Sequence, residues 1–432
     1  MVDIKLEDYQ WDALNCCGCK GCIWVDHIYT PGIRHGIKCP SIMHYFFDSY
    51  SALGRCKLAL GLLEGSLEFS STAIDIIYKC NLCGACDVGC KRNLDLEPLM
   101  ILETLRIKAV EKGSAPPPPL KAIAQSVLET GNPYGVQKLP SNPETLSSSS
   151  APQLVFFPGC NMLFNQRHLL KVTQNVLSAT GLDFAQFPNP CCGRPLYVAG
   201  MATEAKAIAE ANISFLERAG LHTIVTGCAE CYKTWKVDYP KLLGSATNQM
   251  PYRVLHTSQL LDTLMTRQHT LQFVHPLPPA LAGKKIAYHD ACNLGRLSEE
   301  WIPWSGTRGK WGLTSPPKIY RRGTYGEYDS PRKLLMAIED IELVEFPRNR
   351  ENTLCCGSGG GVMNAFPDFA MATAHSRLKE AIDVGIEVIV TGCPFCLEHL
   401  TRAARQTGAP IRLYDIAEIV AHCLGLYDLE QH

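Results

Sequence analysis

Ten of the 21 cysteines in this 432-residue chain fall into two matching sets, Cys160/Cys191/Cys192/Cys228/Cys231 and Cys292/Cys355/Cys356/Cys393/Cys396. Each set reads Cys…Cys-Cys-Gly…Cys-x-x-Cys. The spacing from Cys192 to Cys228 is 36 residues and from Cys356 to Cys393 it is 37, so the halves keep register. Only the first gap differs, 31 residues against 63, which places an insertion of about thirty residues within 298–331 of the second half. A self-similar pattern of this length is the mark of a duplicated structural unit.

Thiolate sulfur is a soft ligand suited to iron–sulfur clusters and zinc, and it ligates only when deprotonated. Tetrahedral zinc takes four ligands and a cubane [4Fe–4S] cluster takes four cysteines, so five thiols per set exceed both. A non-standard iron–sulfur assembly or a spare thiol accounts for the excess. Two disulfide-stapled domains are the alternative, but the chain opens Met-Val-Asp-Ile-Lys-Leu-Glu-Asp, without the apolar stretch of a secretory signal.

A cysteine cluster of another type comes first. Cys80, Cys83, Cys86 and Cys90 have the C-x2-C-x2-C-x3-C spacing of bacterial ferredoxins, in which three close cysteines serve one cubane and the fourth reaches the other. Cys16, Cys19 and Cys22 repeat the triplet, with the fourth cysteine delayed to Cys39, which is followed by Pro40. The crossed pattern pairs Cys16/Cys19/Cys22 with Cys90 and Cys80/Cys83/Cys86 with Cys39. Cys56 competes as fourth ligand of the second group and Cys17 as a substitute in the first. Lys91 stands where the signature has proline, and a zinc site is the alternative for 80–90. Gly84 and Gly89 suit a tight loop close to a cluster. Cys423, in an apolar segment, reads as a core thiol.

The elements that must hold these residues can be read from composition and pattern. Net charge is −1 with both signs interspersed, so nothing marks a nucleic-acid or anionic-membrane surface. No apolar run approaches the roughly 18 residues of a spanning helix. Proline-rich 116–119 and serine-rich 147–150 bound a connector, which divides the chain into a helical ferredoxin-like domain (1–112), a Pro/Ser-rich connector (113–152) and two repeats (153–280 and 281–432). Apolar runs ending near Cys160, Cys228, Cys292 and Cys393 alternate with helical patterns at 167–180, 202–219 and 369–384, which predicts parallel βαβ units and an α/β fold. Ligands would then sit at the carboxyl ends of parallel strands. Ser358-Gly359-Gly360-Gly361 lacks the Lys-Ser/Thr of a phosphate loop and reads as backbone packed close to a cluster.

Phe-Phe-Pro-Gly-Cys160, Cys191-Cys192-Gly193, Gly-Cys228-Ala-Glu-Cys231, Tyr-His-Asp-Ala-Cys292-Asn-Leu-Gly-Arg296, Ser-Pro-Arg332 and Cys355-Cys356-Gly-Ser-Gly-Gly-Gly together resemble the CCG-domain (cysteine-rich domain) family. With the ferredoxin-like domain in front, the whole chain is similar to the D-type, fused C/B-type group of heterodisulfide reductase. The resemblance implies two cubane [4Fe–4S] clusters on Cys16, Cys19, Cys22, Cys39, Cys80, Cys83, Cys86 and Cys90, and two noncubane [4Fe–4S] clusters on the ten repeat cysteines. Asn293 departs from the family, whose members carry histidine after this cysteine, and the departure bears on the substrate.

The expected function is an iron–sulfur electron-transfer subunit of a multi-subunit redox complex, passing electrons from the cubanes to the CCG-bound clusters for disulfide reduction. The alternative is a relay without its own substrate, inside an electron-bifurcating acyl-CoA or benzoyl-CoA reductase complex, and a zinc-bound scaffold is a third reading. No nucleotide fingerprint is visible, so flavin would belong to a partner. Expected partners are flavin- or iron–sulfur-containing subunits, in the cytoplasm, with any membrane attachment through a partner. No catalytic residue is named. His289 and Asp290 could orient or protonate at Cys292, or serve as structural neighbours.

Overall fold

The computed structural model describes residues 4–25, 34–93, 95–137, 152–266, 271–309 and 312–431. Serines 147–150 and the leading residues 1–3 lie outside them. The fold is α/β with a helical N-terminal region, as the patterns predict. That region comprises helices Gln10–Leu14, Pro40–Tyr45, Ala52–Leu63, Ser71–Tyr78, Ala85–Asn93 and Pro98–Glu111. The connector adds Pro118–Thr130, with proline at its first positions and Gly131 closing it at φ +73°.

The duplicated half contains two four-stranded sheets, every pair parallel. Strands β1 (Leu154–Phe156), β2 (Phe184–Gln186), β3 (Thr223–Thr226) and β4 (Arg253–His256) form the first, in the order β2-β1-β3-β4. The second is built from β5 (Lys285–His289), β8 (Glu342–Val344), β9 (Val388–Thr391) and β10 (Arg412–Asp415), in the order β10-β9-β5-β8. Between β5 and β8 a two-stranded hairpin, β6 (Thr307–Arg308) with β7 (Thr314–Ser315), occupies the insertion. Read from their first strands, both sheets share one topology, which is the duplication seen in the cysteine spacing. Of the central strands, β1 and β9 are fully buried and β3 and β5 are buried beyond their first residue, so they read as largely apolar runs. The outer strands β2, β4, β8 and β10 carry polar residues at alternate or terminal positions, and no cysteine ends them closely enough to mark them.

One core joins the two sheets, with Val155, Ile224, Ala287 and Ile389 all at 0% exposure in the same cluster. Cys423 is likewise 0% exposed, packed in the apolar core with Ile419 and Leu261, and is the core thiol its sequence context predicts.

The helical region is fastened to both repeats by buried polar contacts. Tyr78 Oη donates to the Ala199 carbonyl at 2.7 Å, and Asn81 Nδ2 donates to the Gly357 carbonyl at 2.8 Å. Glu103 enters a buried ion cluster with Lys233 (3.4 Å) and Lys241, both of which also reach Asp238, while Arg194 holds Asp238 at 3.0 Å. The insertion clasps the same region from outside: Arg308 lies over the Trp11 ring at 4.1 Å and ion-pairs with Asp12 and Asp95, and Lys318 pairs with Glu97.

Candidate functional site

The Cys-x-x-Cys pairs sit where a central strand turns into a helix. Cys228 is the N-cap of Ala229–Lys233 and Cys393 the N-cap of Pro394–Thr407, so Cys231 and Cys396 fall in the first helical turn beside their partners. Free N–H groups and the positive end of the helix dipole favour sulfur in its anionic, ligating form there. The Cys-Cys-Gly turns complete each set. Gly193 N–H donates to Cys191 Sγ (3.3 Å) and Gly357 N–H to Cys355 Sγ (3.4 Å). Their φ values of +81° and +100° suit glycine alone among common residues. Gly159, before Cys160, leaves no room for a side chain, since a Cβ there would stand 2.7 Å from Cys231 Sγ.

Each five-cysteine set is gathered in one place, and all ten thiols are buried. Cys160 faces Cys191, Cys192 and Cys228, and Cys231 hydrogen-bonds Cys192 and Cys228. In the second set Cys355 hydrogen-bonds Cys292 and Cys356, and Cys396 Sγ is 3.1 Å from Cys356 Sγ. The sets meet through a Cys228–Cys393 hydrogen bond.

The ferredoxin-type cysteines lie in two neighbouring groups. Cys39, Cys80, Cys83 and Cys86 line one small cavity of about 20 Å³. Cys22 faces Cys16 and Cys19, and Cys90 faces Cys22 and Cys16. Gly89 makes this second approach possible: a Cβ on it would collide with the Gly21 carbonyl oxygen at 2.0 Å. Gly84 has the positive φ expected of the loop, at +71°, whereas Gly89 lies within the helix Ala85–Asn93 and is needed for that contact instead. Cys56 hydrogen-bonds Cys16 and faces Cys90, which places it nearer the first group than the second, where it was expected to compete. Cys17 is exposed.

The groups are also contiguous with one another. Cys86 faces Cys22 of the first group, and Cys83 of the second hydrogen-bonds Cys355 of the second repeat. Ser358-Gly359-Gly360-Gly361 closes this junction as tightly packed backbone: a Cβ on Gly360 would lie 2.7 Å from the Cys80 and Asn81 carbonyl oxygens.

The chemistry of the donor sets fits a multinuclear metal group. Burial and the neighbouring cysteines drive Cys160 well above the ordinary thiol range, and hydrogen bonding to adjacent thiols does the same for Cys231, Cys355 and Cys396. Five adjacent thiolates therefore need a compensating cation, which iron supplies.

His289 and Asp290 have different roles. Asp290 is held by Arg332 through two hydrogen bonds (2.6 and 3.0 Å) and accepts the Arg350 N–H at 2.7 Å, so its carboxylate is committed to structure. His289 Nδ1 accepts from Arg377 Nε at 3.1 Å. Burial lowers its pKa, so the ring is neutral and its proton sits on Nε2. A ligand atom of His289 lies within 4.8 Å of both Cys356 Sγ and Cys396 Sγ, and among the described residues its buried Nε2 has no hydrogen-bond partner of its own. The imidazole thus stands beside Cys356 and Cys396 rather than at Cys292. The first repeat has Phe157 at the equivalent position, three residues before Cys160.

A cavity of about 340 Å³ opens onto Cys160 of the first set and is lined by Arg194, Glu230, Ser358, Arg402 and Tyr134 among others. Ser358 Oγ is 3.1 Å from Cys356 Sγ. Burial lifts the Glu230 carboxyl to about 7 against the pull of Arg194. Sequence reasoning passed over Glu230 and Arg194, although Glu230 adjoins Cys231 and Arg194 follows the Cys191-Cys192-Gly193 turn.

The cysteine-rich domain family (CCG) matches residues 154–236 and 319–401. The first span holds all five cysteines of its set. The second begins beyond Cys292, because the insertion separates that cysteine from the remaining four. Over 428 residues the chain is 29% identical to the D-type subunit of a dihydromethanophenazine:CoB–CoM heterodisulfide reductase of Methanosarcina barkeri, covering 95% of this chain and 94% of the relative. It carries two CCG domains and is similar along nearly its whole length to D-type heterodisulfide reductase subunits.

Other relatives of this chain differ in what they are named for. The B-type subunit of a fumarate reductase (CoM/CoB) of Methanothermobacter marburgensis is 26% identical over 96% of this chain and 74% of its own length. An EtfAB:quinone oxidoreductase of Syntrophomonas wolfei is 23% identical over 83% of this chain and 48% of its own. A crystal structure of a hypothetical protein from Helicobacter pylori shares the fold at a TM-score of 0.52 and 10% identity, over 88% of this chain and 69% of that one.

Proposed function

We propose that this iron–sulfur redox protein is the electron-transfer and disulfide-reducing subunit of a larger complex. Cys16, Cys19, Cys22 and Cys90 would hold one [4Fe–4S] cubane and Cys39, Cys80, Cys83 and Cys86 the other. Each five-cysteine set would hold one noncubane [4Fe–4S] cluster. Such groups supply one-electron redox chemistry when bound. The observation that carries the reading is the succession of the four cysteine groups, with Cys22 facing Cys86, Cys83 beside Cys355, and Cys393 beside Cys228.

The protein's own residues do the rest. The burial of all ten repeat cysteines excludes water from the two sets. The cavity would admit a small substrate to Cys160 of the first set and to Ser358, whose hydroxyl neighbours Cys356 of the second. Cleaving a disulfide consumes two electrons and two protons and yields two thiols, so two adjacent one-electron centres match its stoichiometry. Among the described residues no helix is long and apolar enough to cross a membrane. We assign the protein to the cytoplasm, with electrons delivered by a flavin- or iron–sulfur-containing partner.

Iron and acid-labile sulfide analysis of anaerobically purified protein should find four clusters per chain, with zinc minor. The chemically reduced chain should then convert an added unsymmetrical disulfide to thiols. Full cluster content without that conversion would favour a relay role, the reading that similarity to the quinone oxidoreductase supports.

His289→Phe, which copies the first repeat, should keep its iron and lower the midpoint potential of one noncubane signal by removing a polar N–H from beside Cys356 and Cys396. A potentiometric titration reading both signals unchanged would contradict this.

A further inference from the structure

The Cys39/Cys80/Cys83/Cys86 group is surrounded by buried cations that have no carboxylate partner. Arg55, Arg106, Arg296 and Lys38 are 1%, 0%, 4% and 1% exposed. Their guanidinium hydrogen bonds go to backbone oxygens: Arg55 to Ile76 and Lys79, Arg106 to Val198, Gly360, Tyr78 and Cys80, and Arg296 to Cys83, Glu351 and Thr353. Among the described residues none of the four forms an ion pair. Arg106 Nε and Arg296 Nη2 are also buried without a hydrogen-bond acceptor.

Buried charge without a counter-charge is strongly destabilising, so the cations require an anionic group in their midst. Their placement is specific. Lys38 stands between Cys22 of the first group and Cys86 of the second. Arg296 stands between Cys83 and the Cys292/Cys355 pair of the second repeat. Each junction on the way inward therefore contains a buried positive charge. The junction of the two repeats differs, for there Glu230 faces Cys393 and Cys356.

We propose that Arg296 and Lys38, supported by Arg106, set the Cys39/Cys80/Cys83/Cys86 centre at a higher reduction potential than the Cys16/Cys19/Cys22/Cys90 centre, which reaches solvent at Cys19. This rests on the iron–sulfur reading above and deepens it by assigning the direction of electron flow. Burial alone would work the other way. Adding an electron to an anionic centre in low dielectric is unfavourable, while solvent at the surface stabilises it, so electrons would stay outside. A fixed positive charge at each inner junction reverses that order. Reduction adds one electron from a low-potential donor, which is oxidised by one, and no bond or proton is exchanged. Arg296 and Lys38 are positioning residues whose charge acts through the centres they adjoin.

The test is an EPR-monitored redox titration of the full-length, anaerobically reconstituted protein, with dithionite as reductant, on wild type, Arg296→Gln and Arg296→Lys. In Arg296→Gln one cubane midpoint should fall so that its reduced-to-oxidised ratio at fixed poise drops about tenfold, equivalent to about 59 mV for one electron. The other cubane should be unmoved, and Arg296→Lys should stay close to wild type. Unchanged midpoints in Arg296→Gln with wild-type iron content overturn the proposal. If Arg296→Gln takes up no iron, Lys38→Met is read in its place, with a fall supporting the proposal and no shift overturning it. Absence of cubane signals from the wild-type protein itself would count against the iron–sulfur assignment, a distinguishable failure.

Discussion

Cys228→Ser and Cys393→Ser are each expected to remove one noncubane cluster and lower disulfide reduction by at least on the order of 100-fold, beyond the loss usual for residues supporting a metal site. A serine hydroxyl stays protonated where a thiol ionises, and its oxygen is a hard ligand ill-suited to this iron. These two positions are the most informative because their side chains touch across the repeats. Damage to either set should therefore perturb the spectrum of the other. Cys423→Ser is the control, since that thiol lies in the core with Ile419, away from every set. It should keep full iron. Iron and sulfide per chain, together with turnover of an added disulfide, check all three variants, and full iron with wild-type turnover in Cys228→Ser would refute the ligand assignment.

Glu103→Ala should be the most damaging substitution of a non-cysteine side chain, costing about 3–5 kcal/mol of stability. Glu103 brings a negative charge from the helix Pro98–Glu111 to Lys233 and Lys241 of the first repeat and accepts the Tyr197 hydroxyl at 2.9 Å. Without it, three buried cations would share Asp238 alone. Urea denaturation of the loaded protein under anaerobic conditions reads the effect, and a loss below about 1 kcal/mol would show that the cluster tolerates the vacancy. Acid should act in the same direction on the neighbouring Glu97. Burial pushes its carboxyl up, but Lys91 and Lys318 outweigh this and hold it down at about 2, against an ordinary 4.5. A carboxylate depressed on folding contributes stability that is fully present above its unfolded pKa and is lost as pH falls through the folded one. That loss is expected between about pH 4.5 and 2.

The sequence made the central strands and the cysteine turns legible. Strands β1, β3, β5 and β9 are apolar runs because both faces are covered, and each leads into a cysteine. The Cys-Cys-Gly turns announced themselves through a glycine that the positive φ demands. The outer strands did not show, because short sheet edges such as β4 and β8 mix polar with apolar residues and have no periodicity to read. Gly89 reads as a loop residue because it lies in a cysteine motif, although its requirement comes from Gly21, 68 residues away. Arg296 was visible only as part of a motif. Nothing local reveals that a guanidinium will be buried without a carboxylate.

By itself the sequence determined that the chain duplicates a five-thiol unit behind a ferredoxin-type pair of triplets, because ligand number and spacing are local properties that soft-metal chemistry constrains directly. Tertiary structure decided the order of contact among the four cysteine groups, the side on which Cys56 falls and the placement of cations between groups. Those depend on which strand ends and helix ends converge, and on where burial strips charges of solvent, neither of which is encoded in any one stretch of residues.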